Sequence, residues 1–156
     1  MSEMKIMLVD DEERFLSTTR KILAKKGHDV LIATSGMEAL EMLERQNIHV
    51  VILDVKMPGM DGIVTLKEIR KRFPLVEVIM LTGHATVETA VDGMKSGAID
   101  YIMKPCDIDD LLKKAEEAFE KRQRLDEKIR MAQARTYLKS PREILKGTEE
   151  SEKENE

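Results

Sequence analysis

Five short runs of this chain are rich in β-forming, apolar residues: Ile6–Val9, Val30–Ala33, Val50–Leu53, Val78–Leu81 and Tyr101–Met103. Between them the apolar residues return at helical spacing instead. Phe15, Thr19, Ile22 and Leu23 form the first such stretch, ending at Gly27. Ser35-Gly36 opens the second, with Ala39, Leu40 and Leu43 on its buried face, and Ser35 and Glu38 match a capping box. Val64, Leu66 and Ile69 mark a third, stopped by Pro74. Val87, Ala90, Val91 and Met94 mark a fourth, ending at Gly97, and Leu111, Leu112, Ala115 and Phe119 begin a fifth. Strands that are apolar throughout are buried on both faces, and strands alternating with helices build a parallel sheet covered on both sides.

Right-handed crossovers leave few ways to order five such strands. The pattern predicts an α/β, flavodoxin-like (βα)5 fold: a doubly wound five-stranded parallel sheet in the order 2-1-3-4-5, with an extended C-terminal helix. In such sheets the site lies beyond the carboxyl ends of the strands. Asp10 and Asp11 follow the first strand, Asp54 the third, Thr82 the fourth and Lys104 the fifth. The fold therefore brings all five to one edge.

Bulk properties narrow the class. With 156 residues, 42% of them hydrophobic and 36% charged, the chain is expected to be one globular domain plus a solvated appendage. A net charge of −4 argues against direct nucleic-acid binding, which requires a basic surface. One cysteine, Cys106, excludes an intrachain disulfide. No apolar run is long enough for a membrane span, and the acidic N-terminus is not a signal peptide. The expected location is the cytoplasm. The eleven methionines read as core filler.

From Asp107 to about Leu138 there is neither proline nor glycine. Leu111, Ala115, Ala118, Leu125, Ile129 and Ala132 follow steps of three and four with Arg122 in one slot, a weak heptad seam. The expected division is a globular domain over 1–122, a helical extension over 123–140 able to dimerise as a coiled coil or to stand alone in solvent, and an acidic, disordered tail over 141–156.

Carboxylates held together repel, and a hard divalent cation relieves them. Asp54 is the best nucleophile, because it ends the central strand beside a turn fixed by Pro58 and Gly59. A phosphoryl group transferred to it needs Mg²⁺, a cation and hydrogen-bond donors, which Lys104 and Thr82 supply in part. Each residue alone has an ordinary reading: Asp10-Asp11 as a helix cap, Asp54 and Thr82 as turn residues, Lys104 as a surface lysine, Tyr101 as a half-buried strand residue. Their joint placement at strand ends carries the case.

LVDDE at 8–12, LDVKMPGMDG at 53–62, LTG at 81–83 and YIMKP at 101–105 resemble the receiver domain of two-component response regulators, over about residues 4–122. The resemblance implies that Asp54 accepts a phosphoryl group from a sensor histidine kinase or a small phosphodonor. It implies Mg²⁺ held by Asp11 and Asp54, by Asp10 through water, and by the backbone carbonyl of Lys56. Lys104 would pair with the phosphate and Thr82 would bond it. Tyr101 would turn inward, remodelling the face of the fourth helix, fifth strand and fifth helix where a downstream partner or a second copy docks. Lys56 and His84 would flank the path of the hydrolytic water. The protein is then a signalling phosphoacceptor, not a metabolic enzyme, either stand-alone or the receiver and linker of a larger regulator. Two other classes compete. Phosphatases with an aspartyl intermediate carry a second Asp two residues after the first, where this chain has Lys56. Flavin binders use hydroxyl- and glycine-rich phosphate loops, where this chain has DDEE.

Overall fold

The computed structural model describes residues 4–57, 61–83 and 86–137. Five strands, β1 (Lys5–Val9), β2 (Asp29–Ala33), β3 (Val50–Leu53), β4 (Glu77–Thr82) and β5 (Asp100–Met103), alternate with α1 (Glu13–Lys25), α2 (Gly36–Arg45), α3 (Gly62–Arg72), α4 (Val87–Lys95) and α5 (Ile108–Tyr137). All strand pairs are parallel, in the order β2-β1-β3-β4-β5. This is the flavodoxin-like topology expected from the alternating pattern.

Successive strand residues point to opposite faces, so each apolar strand feeds two cores. Met7, Val9, Val51, Leu53, Val78 and Met80 pack on one side against Ala39, Leu40 and Leu43 of α2 and Leu66 and Ile69 of α3. Ile6, Leu8, Val50, Ile52, Ile79 and Leu81 pack on the other against Leu16 and Leu23 of α1 and Leu111, Ala115 and Ala118 of α5. Helix ends follow local chemistry. The Ser35 hydroxyl accepts from the Glu38 N–H at 3.1 Å, but the Glu38 carboxylate turns to Thr34, not to Ser35. Only half of the expected capping box forms. Gly27 and Gly97 close α1 and α4 at φ of +89° and +107°, a region that favours glycine.

Helical spacing locates a helix without saying which of its apolar residues are covered. On α4, Val87 is 83% exposed, Val91 and Met94 are exposed as well, and Gly93 is the buried residue of that helix. On α3, Val64 faces out while Thr65 joins Leu66 and Ile69 inside. The methionines divide, with Met4, Met7, Met57 and Met80 buried but Met37, Met94, Met103 and Met131 exposed.

The chain separates into compact units over Met1–Arg122 and Gln123–Glu156. In the first, Leu111, Ala115 and Ala118 are consumed by the domain core, and the nearly buried Arg122 donates to Asn47 at 3.2 Å. These positions are not open to a coiled coil. In the second, Leu125, Ile129 and Met131 are exposed on helix. The expected tail, 141–156, lies outside the described residues. Among those described, no helix is long and apolar enough to cross a membrane.

Candidate functional site

Strand register brings the carboxylates together. Val9 pairs with Leu53, so the next residues, Asp10 and Asp54, emerge side by side. Their amides extend the sheet: Asp54 N–H donates to the Val9 carbonyl at 2.9 Å and Asp10 N–H to that of Ala33 at 3.2 Å. Asp10 is 2% and Asp54 4% exposed, whereas Asp11 is exposed. One carboxylate oxygen from each of the three lies within 4.8 Å of the others. Thr82 is fully buried as the last residue of β4, and its carbonyl accepts from the Lys104 N–H at 2.9 Å. Lys104 follows β5 through a cis bond to Pro105. Its side chain reaches across the ends of β4 and β3, so that Nζ lies 2.5 Å from Asp10 Oδ2 and 3.8 Å from Glu12 Oε1.

The electrostatics follow from burial. Loss of hydration raises the Asp10 carboxyl above the ordinary 3.8, outweighing bonds from Lys104 and the Glu12 amide, and the Asp54 charge adds to the rise. Burial works against the Lys104 ammonium, but the Asp10 bond and the charges of Asp10, Asp54 and Glu12 prevail and raise it above 10.5. Asp54 Oδ1 is buried with no hydrogen-bond partner among the described residues. A buried acceptor left in this way costs about 1–3 kcal/mol. Three carboxylates with such an orphaned oxygen fit a hard, oxygen-seeking cation such as Mg²⁺.

Asp10 does not cap α1: Glu12 is the N-cap residue, without a side-chain cap bond, and Asp10 Oδ1 accepts from its N–H at 2.9 Å. Lys56 is exposed, while His84, Pro58 and Gly59 lie outside the described residues. Tyr101 is half-buried, its ring beside Gly93 and its hydroxyl 3.0 Å from Thr89 Oγ1. Thr89 forms a reciprocal capping box with Thr86, so Tyr101 is tied to the start of α4. Tyr101→Phe is expected to cost about 1 kcal/mol, the net value of one hydrogen bond, in urea unfolding. An unchanged midpoint would show that the bond contributes nothing.

Two site features were not read from the sequence. Gly62 opens α3 pressed against the Asp54–Val55 backbone, donating to the Val55 carbonyl at 2.7 Å. The Asp-Gly pair at 61–62 was the available signal, and Asp61 is indeed the N-cap residue, accepting from Val64 N–H at 2.9 Å. Phe15 places its ring under Lys104, with Nζ 4.1 Å from the centroid.

A parallel (βα)5 sheet with three carboxylates and a lysine at its carboxyl edge makes an α/β protein suited to holding a divalent cation and a phosphoryl group. The chain belongs to the response regulator receiver domain family, whose sequence model matches residues 6–116. It is 42% identical over 113 residues to the transcriptional regulatory protein ZraR of Escherichia coli K12, covering 72% of this chain and 26% of that protein. It is 39% identical over 119 residues to the alginate biosynthesis transcriptional regulatory protein AlgB of Pseudomonas aeruginosa, covering 76% and 26%. The chain thus spans about a quarter of the length of these curated relatives. A solved CheY-like receiver domain protein from Methanospirillum hungatei superposes with a TM-score of 0.75 at 35% identity, covering 79% of this chain and 98% of that one. The receiver domain of NtrX from Brucella abortus gives 0.69 at 37% identity, with 74% and 98% covered.

Proposed function

We propose that Asp54 is the phosphoacceptor of this receiver domain, taking a phosphoryl group from a sensor histidine kinase in a Mg²⁺-dependent reaction. The observation that carries this reading is the orphaned, buried Asp54 Oδ1 inside the carboxylate cluster, with the Lys104 ammonium bonded to the neighbouring Asp10. Asp54 supplies the attacking oxygen and becomes an acyl phosphate. Asp11, Asp54 and the Lys56 carbonyl would hold the ion, with Asp10 acting through water, and it would supply neutralisation of charge on the transferring oxygens. Lys104 leaves Asp10 to pair with the phosphoryl group, and Thr82 bonds one of its oxygens. The chain catalyses only its own phosphorylation and hydrolysis, and works in the cytoplasm.

Tyr101 is the second switch residue. Its bond to Thr89 couples an inward turn of the ring to α4, whose exposed Val87, Val91 and Met94 provide an apolar face for a downstream partner or a second copy. Dimerisation through this face is favoured over the α5 seam, because Leu125 and Ile129 are one pair of seam positions, about one heptad, where a coiled coil is sustained over roughly three to four. The named relatives are transcriptional regulators; an output of that kind here depends on a partner or on further chain.

The test is incubation with Mg²⁺ and acetyl phosphate, followed by intact mass. One phosphoryl group is expected on the wild type and none on Asp54→Ala. Modification of the variant to the same extent would move the acceptor elsewhere.

A further inference from the structure

Among the described residues, the contacts of the Lys104 ammonium come from one short stretch of chain. Asp10, Glu12 and Phe15 surround its ammonium, and all three belong to the β1–α1 connection or the first turn of α1. Two are carboxylates whose hold on the ammonium depends on their own state. Asp10 is also a candidate metal ligand, so its oxygen is wanted elsewhere during transfer. The ring of Phe15 is neutral, and its attraction for a cation is unaffected by what Asp10 does. At 4.1 Å from the centroid, Nζ lies well inside the distance of roughly 6 Å over which an aromatic face attracts a cation.

We propose that Phe15 is a positioning residue for phosphoryl transfer, holding the Lys104 ammonium on its aromatic face as that ammonium passes from Asp10 to the phosphoryl oxygen. The inference rests on the reading of Lys104 as the phosphoryl-binding cation. In the step itself an Asp54 carboxylate oxygen attacks the phosphorus of acetyl phosphate, the bond from phosphorus to the acetyl oxygen breaks, and acetate leaves with the electron pair. Phe15 touches none of the reacting atoms. It acts through Lys104, by limiting where the ammonium can go.

Phe15 also packs, half-buried, against the core that α1 and α5 share, so ordinary packing has to be separated from the cation contact. A series of fluorinated phenylalanines at position 15 does so, because fluorination weakens the negative face of the ring while nearly preserving its size. The measurement is the rate of phosphorylation of the full chain by acetyl phosphate and Mg²⁺. A stepwise fall with fluorine content is expected, reaching about fivefold for the most fluorinated ring. Phe15→Tyr, which keeps the aromatic face, should stay near wild type, and Phe15→Leu should match the fluorinated end of the series. In the NMR spectrum, the Lys104 ε-methylene protons should carry an upfield ring-current shift that Phe15→Leu removes.

A rate independent of fluorine content would overturn the proposal and leave Phe15 as core filler. A fluorine dependence that persists unchanged in a Lys104→Met background would also overturn it, because the effect would not pass through Lys104. Should Lys104→Met phosphorylate at the wild-type rate, the reading of Lys104 itself fails and the positioning role falls with it, while modification of Asp54 would still stand.

Discussion

Gly62→Ala is expected to destabilise the domain by about 3 kcal/mol and to slow phosphorylation of Asp54 about a hundredfold. A Cβ on Gly62 would lie 2.0 Å from the Asp54 carbonyl oxygen and 2.6 Å from Val55 Cα. Both are backbone atoms of the connection after β3, so no side-chain rotation relieves the clash. The peptide must move by roughly 1 Å to reach a tolerable distance, and the Asp54 carboxylate moves with it. Misplacement of a reacting group on that scale costs about a hundredfold in rate. Opposing this, alanine at the start of a helix gains at most about 1 kcal/mol over glycine, so the steric term decides the sign. Gly93→Ala is the control: its Cβ would meet Met80 and the Tyr101 ring at 3.5 Å or more, ordinary contact, so the helix gain should survive. Urea unfolding and the acetyl phosphate reaction measure both variants. Wild-type stability and rate in Gly62→Ala would mean that the loop yields without effect.

What the sequence made legible, and what it hid, follows from how each feature is encoded. The strands were readable because residues such as Met7, Leu8 and Val9 are apolar on both faces, which only a covered sheet requires. The carboxylate cluster was readable because topology alone carries strand ends to one edge. On α4 the helix was readable but its surroundings were not, because helical periodicity reports an amphipathic helix and not what its apolar side meets. Beside the edge strand β5, Val87, Val91 and Met94 are left uncovered. On α5, Leu111, Ala115 and Ala118 face the domain's own core, and steps of three and four do not distinguish such a core from a partner helix. Gly62 was hidden because no local pattern announces which backbone will approach a residue from another part of the chain. Phe15 was hidden by its spacing, which matches a core position and says nothing of a lysine about ninety residues away.

Lys104→Met is expected to lower stability by about 3 kcal/mol at neutral pH, in the range for breaking one side of a buried ion pair. Asp10 and Asp54 would then face each other without the ammonium, and among the described residues the Asp10 carboxylate would keep the Glu12 N–H alone. The pH dependence gives the prediction its sign. Burial already raises the Asp10 pKa above 3.8, so its ionised form is penalised in the folded state and stability falls as pH rises through that folded value. Removing Lys104 removes two influences that lower this pKa, and the penalty at neutral pH grows. As pH falls through the raised folded value Asp10 takes up its proton and needs no cation, so the variant should approach the wild type toward acid pH. The lysine's own contribution, from a pKa raised above 10.5, is complete below that value and is lost as pH rises through the higher folded value. The deficit therefore spans neutral and mildly alkaline pH and closes at both ends. Saturating Mg²⁺, at about a hundred times its dissociation constant, should return roughly 2.7 kcal/mol to the variant. Urea titrations at several pH values, with and without Mg²⁺, read all of this. A deficit of the same size at acid and neutral pH would mean that Lys104 acts by packing its stem against Phe15 and not by balancing the carboxylates.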